Sequence, residues 1–263
     1  MFKTMIKTAT VCLGIAMLAT ACKKDETPAK TYYLTALADS SGTDLATFEY
    51  DSDNKLIRFG EGSSSGYNFF YSGSKLIVRN YTSAGSVSSV DSFFYDANNK
   101  LVRVEGYNGM NVKQKTVTLA YNGDNTLNSG TVDYTDPLTN DLLLEYTYSG
   151  GNISKRKTSE KVLGVYKTKN ELEFLGLDDK TNPFYSIYTN YLLDQFNLLY
   201  FVWSGQHNPT SGKQTDYDTN TGNVTSVASA TSVYEYNADG MPTKATHSQG
   251  ASTNIYTFKY TTK

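Results

Sequence analysis

A phrase at positions 93–104, FFYDANNKLVRV, constrains this chain more than any other stretch of it. Phe93-Phe94-Tyr95 alternates as a strand does, the Asp and Asn residues that follow are turn formers, and Leu101 opens a second alternating run. Versions recur along the chain. Phe48-Glu49-Tyr50 leads into Lys55-Leu56, Phe69-Phe70-Tyr71 into Lys75-Leu76, Leu119-Ala120-Tyr121 into Thr126-Leu127, Tyr146-Thr147-Tyr148 into Asn152-Ile153, and Tyr234-Glu235-Tyr236 into Met241. The marker tyrosines Tyr50, Tyr71, Tyr95, Tyr121 and Tyr148 follow one another at 21, 24, 26 and 27 residues, the length of one hairpin plus a return loop. Each unit therefore supplies two antiparallel strands. The repeats predict an all-β chain, a long antiparallel meander of about 16–19 strands forming a curved or barrel-like sheet.

Within a strand, residues two apart share a face, so Phe48/Tyr50, Phe69/Tyr71, Phe93/Tyr95, Leu119/Tyr121, Tyr146/Tyr148, Tyr234/Tyr236 and Phe258/Tyr260 give the sheet one consistently aromatic side. The intervening positions on the other face are charged toward the chain ends (Glu49, Glu235, Lys259) and apolar in the middle (Phe70, Phe94), so that face is wet at its margins and its centre is a candidate for cover. The 22 Tyr, 12 Phe and 20 Gly against 5 Pro suit such a sheet and not a helical bundle.

Residues 158–212 interrupt the pattern. Residues 162–166 and 171–175 read as a further hairpin. Phe184, Ile187, Tyr188, Tyr191 and Leu192 then fall at helical spacing behind Asn182 as cap and Pro183 at the first helical position, which predicts one helix inserted at about 178–199. Such a helix covers an apolar sheet face or caps one end of a barrel. Alternatively, with the loop after Trp203, it forms the rim of a binding cleft in which Trp203, His207, Asn208, Asp179 and Tyr185 would stack on and hydrogen-bond to sugar rings.

Residues 1–21 read as a signal peptide: Lys3 and Lys7 precede a short apolar run that ends in Ala19-Thr20-Ala21. Cys22 follows directly, and Cys22-Lys23-Lys24-Asp25-Glu26 resembles the surface-export start of Bacteroidetes-type lipoproteins, although Ala19 stands where a leucine is usual. That resemblance implies lipidation of Cys22, a tether over 22–31, a single repeat domain over 32–263, and an outer-membrane lipoprotein facing the cell exterior. The repeat unit resembles the YD repeats of Rhs-type proteins over about residues 45–157 and 215–263. With Asn182-Pro183-Phe184 and His207-Asn208-Pro209 added, the chain is similar to a Bacteroidetes lipoprotein family with a porin-like fold and no established activity. The resemblance implies a curved sheet approaching a barrel.

Several chemistries are disfavoured. Both cysteines, Cys12 and Cys22, lie in the leader region, and His207 and His247 stand alone, so neither a cysteine-based metal site nor a Cys-His or zinc centre is expected, and no cofactor is. Asp51-Ser52-Asp53-Asn54 and residues 216–222 look like calcium loops, yet turn chemistry accounts for both. Nothing predicts two facing carboxylates, so a glycoside hydrolase ranks last. The formal charge of −2 becomes more negative once Lys3 and Lys7 are removed, which leaves no basic field for nucleic acid. A membrane-spanning porin is not expected, because the strands are mostly short and rich in Ser, Thr and Asn. The expected function is a lipid-anchored surface binding protein that captures glycans without catalysis; the alternative is a structural or adhesive surface protein with a protein partner.

Overall fold

The structure is a computed structural model and describes residues 30–62, 64–185, 187 and 205–263. Its strands are β1 (Tyr32–Ala38), β2 (Asp44–Tyr50), β3 (Leu56–Glu61), β4 (Ser65–Ser72), β5 (Lys75–Ser83), β6 (Ser86–Tyr95), β7 (Leu101–Asn108), β8 (Lys113–Tyr121), β9 (Leu127–Tyr134), β10 (Leu142–Ser149), β11 (Asn152–Val162), β12 (Val165–Thr181), β13 (His207–Tyr217), β14 (Val224–Tyr236), β15 (Pro242–Gln249) and β16 (Ser252–Thr262). Every strand pairs antiparallel with its sequence neighbours, and β1 closes on β16 with Tyr32 opposite Thr262, which makes a closed 16-strand barrel complete within residues 32–262.

The repeat is explained by three local devices. Asp51 and Asp96 accept hydrogen bonds through Oδ1 from the amides two and four residues on, and Asn54 and Asn99 take up left-handed φ values of 64°, so the acidic turn residues serve their own backbone. A β-bulge then falls just before each marker tyrosine. Glu49 faces Arg58 while Tyr50 faces Leu56, leaving Ile57 as the extra residue, and the same shift recurs at Tyr71, Tyr95, Tyr121 and Tyr148. Finally, each tyrosine hydroxyl donates to a backbone carbonyl of the preceding unit: Tyr50 to Leu34 at 3.0 Å, Tyr71 to Leu56 at 2.6 Å, Tyr95 to Leu76 at 2.9 Å and Tyr121 to Leu101 at 2.7 Å. The lysine before that leucine sits over the same ring, Lys75 at 5.5 Å from the Tyr95 centroid and Lys100 at 4.7 Å from that of Tyr121. The Lys-Leu and Tyr of the motif are thus the two halves of a joint between successive hairpins.

A closed barrel of this strand number encloses more space than its own side chains fill. Part of the lumen is filled by Phe48, Leu56, Phe59, Phe69, Phe93 and Phe258. The connection between β12 and β13 contributes Phe184 and Ile187 to that cluster, with the Phe184 ring 6.2 Å from Phe48 and 6.0 Å from Phe258. Asn182 caps its start, accepting from the Phe184 amide at 3.0 Å as the sequence predicts, and its own amide donates to Gln206 across the neck of the insertion. Most of the expected helix lies outside the described residues. Its lower limit moves, because β12 continues through Thr181, which pairs with His207. The expected hairpin over 162–175 also differs: the turn is Leu163-Gly164, and β12 is one long strand from Val165. The polar residues at 167–170 keep it paired to β11, helped by a Lys169–Glu160 ion pair.

Among the described residues no second layer covers the outer face at Phe70, which is 47% exposed. That face mixes single apolar residues with ion pairs between neighbouring strands, among them Arg58–Glu49, Lys157–Glu145, Lys155–Glu171, Lys213–Glu173 and Lys244–Glu235.

Candidate functional site

On β8, β9 and β10 the inward positions are small or branched aliphatics in two rows across the sheet. Val117, Val132 and Leu142 form one row and Leu119, Gly130 and Leu144 the other. Val117, Val132, Leu142 and Leu144 point inward yet stay only half-buried. With Phe93, Val104, Leu127 and Tyr146 they line a cavity of about 210 Å³ in the lumen. Gly130 helps to open it: a Cβ there would stand 3.3 Å from Leu119 Cδ2 and fill part of the wall.

One end of this apolar cavity is charged. Arg79, from β5, is 3% exposed and donates from Nε and Nη2 to Asp91 Oδ2 on β6, at 3.1 and 2.5 Å. Its guanidinium lies between the rings of Tyr67 and Phe93, at 5.0 and 5.7 Å, and Nη1 has no hydrogen-bond partner. Lys115, from β8, lies across Gly106, where a Cβ would come within 2.8 Å of Lys115 Cε and 3.0 Å of Asp91 Oδ1; a side chain at that position would evict the lysine. Burial lowers the Lys115 pKa, the nearby Arg79 charge adds to that, and Asp91 opposes it. Burial also pushes the Tyr67 hydroxyl up to about 12. The cavity therefore joins apolar walls to a desolvated end with two cations and one carboxylate.

The residues singled out in the sequence do not converge here. Tyr185 joins Tyr121, Tyr148, Asp124, Asn125 and Gly205 around a second pocket of about 260 Å³. Asp179 projects outward and pairs with Lys180 at 3.1 Å, an ion pair that holds its carboxyl below the usual carboxylate range. Asn208 is fully buried, its backbone amide and side-chain NH₂ both given to Asp178 at 3.1 Å, and Tyr236 donates to the same carboxylate. The His207 ring meets the Lys180 carbonyl at 3.2 Å and its backbone amide donates to Asn152. In the structure Asn208 and His207 fasten the neck of the insertion. Trp203 and Cys22 lie outside the described residues. Asp51, one of the calcium-loop candidates, spends its carboxylate on backbone amides.

Arg79, Asp91 and Lys115 escape the sequence reading for different reasons. Asp91 lies two residues before Phe93 and Lys115 four before Leu119, so carrying the two-residue period of the aromatic pairs further back would have placed both inside. Arg79 is hidden by the bulge between Phe70 and Tyr71, which shifts the alternation of β5 by one residue.

No protein-family model matches the chain, and no curated protein does. Solved structures do match. The fold is similar to that of porin-like proteins of Bacteroides. One, from Bacteroides uniformis, has 14% identity and a TM-score of 0.53, with 88% of this chain and 96% of that one covered. Another, from Bacteroides vulgatus, has 14% identity and a TM-score of 0.50, with 87% and 99% covered. At that identity the likeness concerns the barrel alone.

Proposed function

We propose that this chain is an envelope-anchored binding barrel, held at the outer membrane through Cys22, whose lumen takes up a small apolar molecule without catalysing its conversion. The observation that carries the reading is the cavity of about 210 Å³ under a half-buried aliphatic wall. A cavity of about 150 Å³ lined with aliphatic and aromatic side chains stays dry and holds benzene, so on that scale this one suits a molecule of about eight carbons. The ion-paired outer face supports a barrel that stands in water and is anchored beside the membrane, since a barrel spanning the bilayer needs an apolar outer band.

Titration calorimetry of residues 30–263 with neutral probes of that size, 1-octanol and propylbenzene, tests the reading. One molecule should bind per chain, and Leu144→Trp, which fills the cavity, should abolish uptake; no heat from either probe would sink it. Palmitate labelling of the full chain in an envelope-exporting host, lost in Cys22→Ser, tests the anchor.

A second reading keeps glycans as the ligand and uses the Tyr121, Tyr148 and Tyr185 pocket, whose rings and neighbouring Asp124 and Asn125 are the chemistry a sugar needs. It predicts polysaccharide binding that Tyr185→Ala removes and Leu144→Trp leaves intact.

A further inference from the structure

The charged end of the cavity bears on which small molecule it would hold. Arg79 is a buried cation whose Asp91 partner occupies Nε and Nη2 and leaves Nη1 with its hydrogens unused. A buried donor without an acceptor is costly, and native proteins rarely leave one unless something else supplies the acceptor. Lys115 lines the same end and feels both Arg79 and Asp91. The cavity lining thus carries two cations against one carboxylate, a surplus of one positive charge. The other acid near this cluster, Glu61, raises the Tyr67 hydroxyl pKa, interacts with the Tyr81 hydroxyl and is not part of the lining. Gly106 is where the wall makes room for the lysine, so the chain has given up a side chain to keep that cation against the lumen.

We propose that the ligand is a monocarboxylate with an apolar body of about eight carbons, its carboxylate accepting from Arg79 Nη1 and meeting the Lys115 ammonium while the body lies against Val117, Val132, Leu142 and Leu144. The inference rests on the lumen being a ligand site. A single negative charge matches the surplus. A phosphomonoester dianion would exceed it, and a cationic head would meet Arg79 and Lys115 with Asp91 already taken. In a desolvated site an ion pair of this kind is stronger than at the surface, and it selects the charged head over a neutral one of equal length.

The test compares octanoate, 1-octanol, octylammonium and octyl phosphate by calorimetry on residues 30–263. Octanoate should bind at least tenfold tighter than octanol, with octylammonium weaker than both and octyl phosphate weaker than octanoate. The double variant Arg79→Met/Asp91→Leu removes the buried pair together, so that no charge is orphaned. Lys115 keeps one positive charge at the site, so octanoate should weaken at least threefold through loss of the Nη1 donor, while octanol changes by less than octanoate does. If circular dichroism finds that variant unfolded, Lys115→Met decides: octanoate should weaken at least threefold with octanol unchanged, and unchanged octanoate overturns the proposal. Should octanol bind the wild-type chain and octanoate no more tightly, or octyl phosphate most tightly, the carboxylate proposal falls while the lumen reading stands. Should no probe bind, both fall.

Discussion

On the β2–β4 wall of the barrel the lumen meets Phe48, Phe59 and Phe69; on the β8–β10 wall it meets Val117, Val132, Leu142, Leu144 and a glycine. The two walls share backbone geometry, turn chemistry and bulge placement, but the first is sealed by aromatic rings and by Phe184 and Ile187, whereas the second faces open space. What differs is reach. A phenylalanine extends far enough from a wide barrel wall to meet the inserted segment, and a valine does not. In a barrel of this circumference, a cavity forms where the inward residues are short.

The comparison breaks most directly through truncation. Phe59→Ala on the sealed wall should cost about 3–5 kcal/mol in denaturant titration. Leu144→Ala, whose side chain already borders a void, should cost less than about 1.5 kcal/mol, below the range for fully packed leucines. Equal losses would show that the second wall is packed after all.

Alkaline pH sharpens the contrast in a second way. Tyr67 and Tyr121 are pushed up to about 12 by burial, and burial raises Tyr234 and Tyr260 further. Phenols whose folded pKa lies above the unfolded value of about 10 contribute stability that is complete below that pH and is lost as pH rises toward the folded value. Urea midpoints should hold up to about pH 10 and fall above it, in step with tyrosinate absorbance. A midpoint flat to pH 12 would remove the buried tyrosines from the account.

The smallest expected effect belongs to the joints that both walls share. Tyr71→Phe deletes one hydroxyl from the Leu56 carbonyl and should lower stability by about 1 kcal/mol. The same change at Tyr121, at the end of the strand that carries Val117 and Leu119, should cost a similar amount if the joint acts independently of lumen packing.

Much of the barrel is legible in the sequence because the repeat writes strand, turn and facing into adjacent residues: Phe93 and Tyr95 point inward as their spacing implies, and Asn182 caps where its neighbour Pro183 says it should. Closure is not legible, since nothing local in Tyr32 or Thr262 announces that they pair. The cavity is hidden for a related reason. It arises from the third dimension of the wall, where Val132 stands beside both Val117 and Leu142, and from a bulge that turns Arg79 inward against the simple alternation. Conspicuous residues such as His207 and Asn208 draw the eye by rarity, yet the structure commits them to holding a neck shut.

Among the described strands, the one pairing between non-neighbours, β1 with β16, joins the two ends of the barrel while every other ladder joins strands adjacent in sequence. The meander can assemble hairpin by hairpin, but the last seam waits for a loop closure that spans the whole domain. Until it closes, β1 and β16 are bare edges whose unpaired amides and carbonyls would accept a strand from another copy as readily as each other. The fold therefore concentrates its hazard of misassembly in a single clasp.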